Sequence, residues 1–332
     1  MSCPQDYAKH FKALVAVLVM LAVGFGLGCR STLPKPGAST SVTLKRALSI
    51  KVKGRQRSYL VHVPGNYKAE EAYPLVVVLH GAFGTAAEME KRTGFSRLAD
   101  REKFIVVYPN GAYGILGFLQ HWNAGFCCGK AAQDKLDDVG FLQAVIRDVG
   151  AAYHLDSRRV YMTGFSNGGM LTYLFAEMHP EVLAAAAPLG AAIGGRASDK
   201  EPVWVVPEPN QPVPLLIMHG LADQNVPFRG GISPVYGGTR EFFSVAQAAD
   251  FWVRVNHCGP EPTVDSLSGG AVERKTWQGP PEGSAPVMLY ALQGWEHRWP
   301  GNYFTAKLPP NHLLYRFDAA EIIWAFFRQH SR

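Results

Sequence analysis

The run Pro74–Gly81, PLVVVLHG, leaves this chain few folds to choose from. Leu75 to Leu79 are apolar without a break, and three of the five are β-branched. A strand with one wet face alternates polar and apolar residues. An unbroken run is what a strand needs when helices cover both faces of its sheet. FIVVYPN (104–110), LAAAAPLG (183–190), VPLLIMHG (213–220) and APVMLYAL (285–292) repeat the pattern, and DSRRVYMTG (156–164) reads as a turn and a buried strand. Segments of helical spacing lie between them. Asp137 to Tyr153 carries Val139, Leu142, Val145, Ile146 and Val149 on one face, a helix is expected over about Asn167–Met178, and an amphipathic one over about Asp318–Gln329. SIKVKGRQRSYLVHVP (49–64) reads as two strands around a glycine-containing turn. Strands alternating with helices predict an α/β protein, a mostly parallel central sheet with helices on both faces.

The first 45 residues are of another kind. Lys9 and Lys12 precede the apolar stretch Ala13–Gly28, which ends at Cys29, the order of a secretory signal. GLG before Cys29 resembles the lipobox of bacterial lipoproteins, although Gly26 stands where a leucine-like residue is usual; the resemblance implies lipidation of Cys29. An ordinary signal peptide or a short retained anchor are the alternatives. Residues 30–45, RSTLPKPGASTSVTLK, have the composition of a flexible tether. The expected division is therefore a signal at 1–29, a tether at 30–45 and one catalytic domain at 46–332, exported and secreted or held at a membrane. A net charge of +6 without a run of five basic residues gives no nucleic-acid footprint, and no repeat of 20–50 residues marks a solenoid. We expect a monomer whose partner is a small or oligomeric substrate.

Beyond Cys3 and Cys29 the cysteines are Cys127, Cys128 and Cys258. Either Cys258 bridges to one of the adjacent pair, or the pair closes on itself. Three thiols without histidines at supporting spacing do not complete a zinc site, and no metal or cofactor is expected.

Gly164-Phe165-Ser166-Asn167-Gly168 is a G-x-S-x-G sequence between a strand and a helix. Reversing the chain in so few residues forces the serine into a strained conformation and crowds its flanks, which residues without Cβ relieve. A nucleophilic serine needs a base and a group to orient it. Asp223 lies just beyond the run ending MHG, and His297 just beyond the run ending YAL, both at carboxyl ends of strands, where open α/β sheets bind ligands. Their order, serine, aspartate, histidine, is that of an α/β-hydrolase. His80 and His219 each precede a glycine and read as loop-shaping residues; His121 follows no apolar run; Asp137 and Asp138 read as helix caps. The tetrahedral oxyanion needs main-chain donors. These are expected from Asn167 and from Ala82 in HGAFG (80–84), with Phe83 as second choice. Phe83, Trp122, Trp295 and Trp299 are candidates to line an aromatic or extended apolar acyl site.

VVVLHGAFG, WNAGFCCG followed by DDVGFL, DSRRVYMTGFSNGGMLTY, MHGLADQNVP, FWVRVNHCG and GWEHRWPG together resemble the α/β-hydrolase esterases that include poly(3-hydroxybutyrate) depolymerase-like and feruloyl esterase-like proteins, some of them secreted lipoproteins. The resemblance runs from about Ser49 to Arg332. It implies a serine carboxylesterase acting through an acyl-enzyme, with Ser166, Asp223 and His297 as triad and Ala82 at the oxyanion position. Where such proteins often have a glycine-rich turn before the histidine, this chain has Trp295 and Glu296. No separate polymer-binding module is apparent, so soluble hydroxyacyl or aryl esters are expected over crystalline polyester. A serine peptidase of the same fold, or a binding module that kept the fold, are the alternatives.

Overall fold

A computed structural model describes residues 42–52, 55–113, 119–235 and 239–332, with side chains described from Gln56 onward. The expected signal, Cys29 and most of the expected tether lie outside these residues. In chain order the strands are β1 (Val42–Val52), β2 (Arg55–Val63), β3 (Tyr73–Leu79), β4 (Ile105–Pro109), β5 (Leu155–Phe165), β6 (Ala185–Leu189), β7 (Gly194–Arg196), β8 (Trp204–Val205), β9 (Leu215–Gly220), β10 (Gly231–Ile232), β11 (Glu241–Phe242), β12 (Thr263–Leu267), β13 (Val272–Trp277) and β14 (Val287–Leu292). The helices are α1 (Ala86–Thr93), α2 (Phe95–Glu102), α3 (Gly129–Gln133), α4 (Asp138–Ala152), α5 (Asn167–Met178), α6 (Val245–Val255), α7 (Asn302–Thr305) and α8 (Ala319–Phe327).

Ten strands form one sheet in the order β1-β2-β4-β3-β5-β6-β9-β14-β13-β12. The six from β4 to β14 run parallel, and antiparallel strands close both edges. β1 starts inside the stretch 30–45, because Val42 pairs with Val63 and the antiparallel ladder continues from there. The strand thus takes the last four residues assigned to the tether.

β3 shows why the apolar run is unbroken. Leu75, Val77 and Leu79 belong to one buried cluster and Val76 and Val78 to the other, so the strand feeds a core on each face. Helices α4, α5 and α6 cover the first face, and α1, α2 and α8 the second. Each fully buried Val or Leu contributes about 1.5–3 kcal/mol. A charge at Val77 would forfeit that and pay desolvation as well. The helix ends follow the sequence: Asp137 caps α4 through Gly140 N at 2.8 Å, and Asp318 caps α8 through Ala320 N at 3.0 Å.

A second sheet, order β10-β11-β7-β8, comprises strands of two or three residues. It packs on the loop that follows β4: Phe126 stacks on Trp204 with ring centroids 5.7 Å apart and meets Phe242 edge-on.

Candidate active site

Ser166 ends β5 and begins α5 with φ 54° and ψ −121°, a left-handed conformation that costs a non-glycine residue about 1–3 kcal/mol. The surrounding glycines are there for close packing. A Cβ on Gly164 would lie 2.4 Å from Gly168 O, one on Gly168 would lie 2.4 Å from His80 O, and one on Gly169 would meet Ala191 Cβ at 2.7 Å. The elbow is held rigid because its neighbours leave it no room.

β5, β6, β9 and β14 are successive neighbours, so the loops after β5, β9 and β14 emerge on one edge of the sheet. Those loops carry Ser166, Asp223 and His297. Ser166 Oγ is 2.9 Å from His297 Nε2, and His297 Nδ1 is 2.6 Å from Asp223 Oδ2. Asp223 Oδ1 accepts from the main-chain N–H of Asn225 and of Val226, both at 2.9 Å. Burial alone would raise the Asp223 carboxyl, but hydrogen bonds from His219 and His297 outweigh it and hold the group well below the usual carboxylate range. A carboxylate fixed in this way orients His297 with Nδ1 as donor and Nε2 free to accept from the serine hydroxyl.

His219 does more than shape a loop. It is buried, and Nε2 lies 2.8 Å from Val226 O. A carbonyl only accepts, so Nε2 carries the proton and also points at Asp223 Oδ2, 3.3 Å away. His80 is likewise buried, with Nδ1 2.7 Å from Gly81 O and Nε2 accepting from Gly111 N at 2.9 Å. Burial lowers its pKa to about 4, so the neutral ring ties the HGAFG loop to the end of β4.

Ala82 N and Asn167 N, the expected oxyanion donors, have no acceptor among the described residues. Phe83 cannot take that role: its N–H is committed to Gln120 O at 2.8 Å. Asn167 adds a contribution that main-chain reasoning missed. Its amide accepts from Trp122 N at 2.8 Å and donates to Trp122 O at 3.1 Å and to Cys127 O at 3.4 Å. Trp122 Nε1 in turn donates to His80 O at 2.8 Å. One buried brace therefore holds both strands of backbone that present the donors.

The tryptophans expected to line the site do not. Trp122, Trp295 and Trp299 are all closed off from solvent, and of the four aromatic candidates only Phe83 is exposed, at 57%. Trp122 is part of the brace, Trp295 Nε1 donates to Arg298 O at 2.8 Å, and Trp299 packs edge-on against Phe95. Large indoles flanking a histidine in sequence served as loop anchors because their area is most valuable out of water. Glu296 is exposed, and Gly294 just before Trp295 takes φ 64°, so one glycine makes the turn ahead of His297.

Asp138 is also more than a cap. It pairs with Arg57 at 2.7 Å, both residues buried, and accepts from Asn123 N at 2.7 Å. The Arg57 guanidinium lies over the Phe141 ring at 4.1 Å. The WNAGFCCG and DDVGFL stretches are thus joined, and they support the brace. The sulfurs of Cys127 and Cys128 adjoin as a vicinal disulfide, and Cys258 stands apart from them.

Residues 57–204 match the family described as Esterase PHB depolymerase, a span that includes Ser166 and ends before Asp223 and His297. The putative esterase NocK of Nocardia uniformis subsp. tsuyamanensis is 28% identical over 283 residues, covering 81% of this chain and 77% of that protein. Feruloyl esterase B of Piromyces equi is 31% identical over 208 residues, covering 62% of this chain and 37% of its own length, so the chain spans well under half of that relative. Among solved structures, an acetyl xylan esterase from Aspergillus awamori superposes with a TM-score of 0.53 at 16% identity over 76% of this chain and 94% of that one, a likeness of fold. Together with the doubly covered parallel sheet and the serine elbow, these matches show an α/β-hydrolase fold in which residues 57–204 are similar to the family described as Esterase PHB depolymerase.

Proposed function

We propose that the chain is a serine carboxylesterase that hydrolyses soluble aryl or hydroxyacyl esters through an acyl-enzyme on Ser166. The observation that carries the reading is the relay Ser166 Oγ–His297 Nε2–His297 Nδ1–Asp223 Oδ2 on a strained elbow. As Ser166 Oγ bonds to the acyl carbon, its proton passes to His297 Nε2 and the carbonyl electron pair moves onto oxygen. The N–H groups of Ala82 and Asn167 receive that oxyanion; a single such donor contributes about 2.7–4 kcal/mol to the transition state. The imidazolium, steadied by Asp223, gives its proton to the alcohol oxygen as the acyl–oxygen bond breaks. Water then repeats the sequence and returns the serine. Both donors are main-chain groups, which leaves acyl preference to the surrounding side chains. Relatives named for feruloyl and for acetyl xylan esters differ in acyl size accordingly.

Hydrolysis of p-nitrophenyl butyrate by the wild type and by Ser166→Ala tests this reading, with kcat expected to fall by about 10⁶ in the variant. Equal rates in the two proteins, or none from a folded wild type, would end it. The N-terminal basic and apolar segments ending at Cys29 support export with lipidation at that cysteine. Labelled fatty acid should enter the wild type and not Cys29→Ser; equal labelling refutes the lipid anchor.

A further inference from the structure

The turn of a G-x-S-x-G elbow leaves its x positions free, so the phenylalanine directly before the nucleophile is a choice of this chain. Phe165 ends β5 and is half-buried against the core on the α1, α2 and α8 face. Its ring meets the His297 ring with centroids 4.7 Å apart and planes inclined at 37°, far from an edge-on contact. Two glycines make room for it. A Cβ on Gly81, in the loop after β3, would lie 3.3 Å from Phe165 Cδ1. One on Gly190, just after β6, would lie 2.9 Å from Phe165 Cε2 and 3.6 Å from His297 Nδ1. The ring is therefore seated between two loops and against the histidine. Both imidazole nitrogens are already engaged, Nδ1 by Asp223 and Nε2 by Ser166, and the His297 side chain is only 13% exposed. A cation within about 6 Å of an aromatic centroid is attracted to the negative face of that ring, more strongly where water is excluded. His297 becomes a cation only after it has taken the serine proton. The contact therefore strengthens on the way to the transition state, where added binding lowers the barrier.

We propose that Phe165 is a positioning residue that acts through charge: its π face stabilises the His297 imidazolium formed as Ser166 attacks, and so raises kcat and leaves substrate affinity alone. The proposal rests on the esterase reading above and adds to it a second partner, besides Asp223, for the positive charge.

The test replaces Phe165 in turn by 4-fluoro-, 3,5-difluoro- and 3,4,5-trifluorophenylalanine through codon suppression. Each fluorine drains the π face and leaves the shape of the ring nearly unchanged. On p-nitrophenyl butyrate kcat should fall stepwise along the series, by about tenfold in the trifluoro protein, with KM nearly constant. Phe165→Leu, which removes the face altogether, should lose at least as much. A kcat that stays constant across the fluorinated proteins overturns the proposal, even if Phe165→Leu is impaired, because packing alone then accounts for the ring. Inactivation by diisopropyl fluorophosphate needs no ester turnover: Ser166 Oγ bonds to phosphorus, fluoride leaves, and the serine proton passes to His297. Its rate constant should fall along the same series, and a constant rate overturns the proposal by itself. A protein that shows this fall but hydrolyses no ester refutes the esterase reading alone, whereas a wild type that the reagent does not inactivate overturns both.

Discussion

His80 gives the sharpest handle on the site because its two nitrogens are both engaged and its ring cannot accept a proton cheaply. Replacing it by asparagine keeps a donor toward Gly81 O but removes the acceptor of Gly111 N, a buried loss of about 1–3 kcal/mol. At pH 7.5 the variant should therefore be less stable than the wild type by that amount. The gap should shrink in acid. A histidine held at a pKa of about 4, against 6.5 when exposed, contributes its full stability above pH 6.5 and loses it as pH falls toward 4, since only the unfolded chain takes up the proton. At 1.36 kcal/mol per pH unit, the wild type should lose about 2.5 kcal/mol by pH 4.5 through this residue alone. Asparagine does not titrate, so the two stabilities should converge near that pH. Urea melts followed by tryptophan fluorescence at pH 7.5, 6.5, 5.5 and 4.5 measure both curves. A gap that stays constant from pH 7.5 to 4.5 would show that His80 is not held neutral by burial, and the account of the loop would fall with it.

Asn167→Ala keeps the main-chain donor but frees Trp122; kcat on p-nitrophenyl butyrate should fall by about 10–100-fold with KM nearly unchanged, and an unaltered kcat refutes the brace. Asp138→Ala strands a buried guanidinium and should cost about 3–5 kcal/mol, whereas Arg57→Met combined with Asp138→Leu should cost far less; equal melting temperatures for the two proteins would refute the pairing. Peptide mapping without reduction should return Cys127 and Cys128 linked within one peptide. Cys258 should alkylate slowly near neutral pH, since burial raises its pKa; a peptide cross-linking Cys258 to either partner overturns this assignment.

The parallel strands and the elbow were legible because their signals are local. Leu75–Leu79 must be apolar on both faces, and Gly164 must lack a side chain because Gly168 O, four residues on, leaves no room for one. Ser166, Asp223 and His297 could be singled out because each follows an apolar run whose end the sheet aligns. The hairpin β12–β13 was invisible, since Thr263–Leu267 is an edge strand with mostly wet side chains and no apolar alternation to announce it. The two- and three-residue strands of the small sheet are too short for any periodicity. Asp138 looked like a cap because its partner, Arg57, lies far back in the sequence on another strand. The tryptophans misled for a related reason: proximity to His297 along the chain says nothing about which way a ring points, and burial settled it.

The relay also has a consequence in time. His297 stands 131 residues beyond Ser166 and 74 beyond Asp223, and it follows a strand that the sheet holds between β9 and β13. The serine elbow can therefore be made, and its flanking strands paired, while the nucleophile still has no base. On the proposed relay, a chain emerging from a ribosome has no base for Ser166 until its last strand is in place. Activity through that relay would report the folding of β14 and not of the elbow that carries the serine.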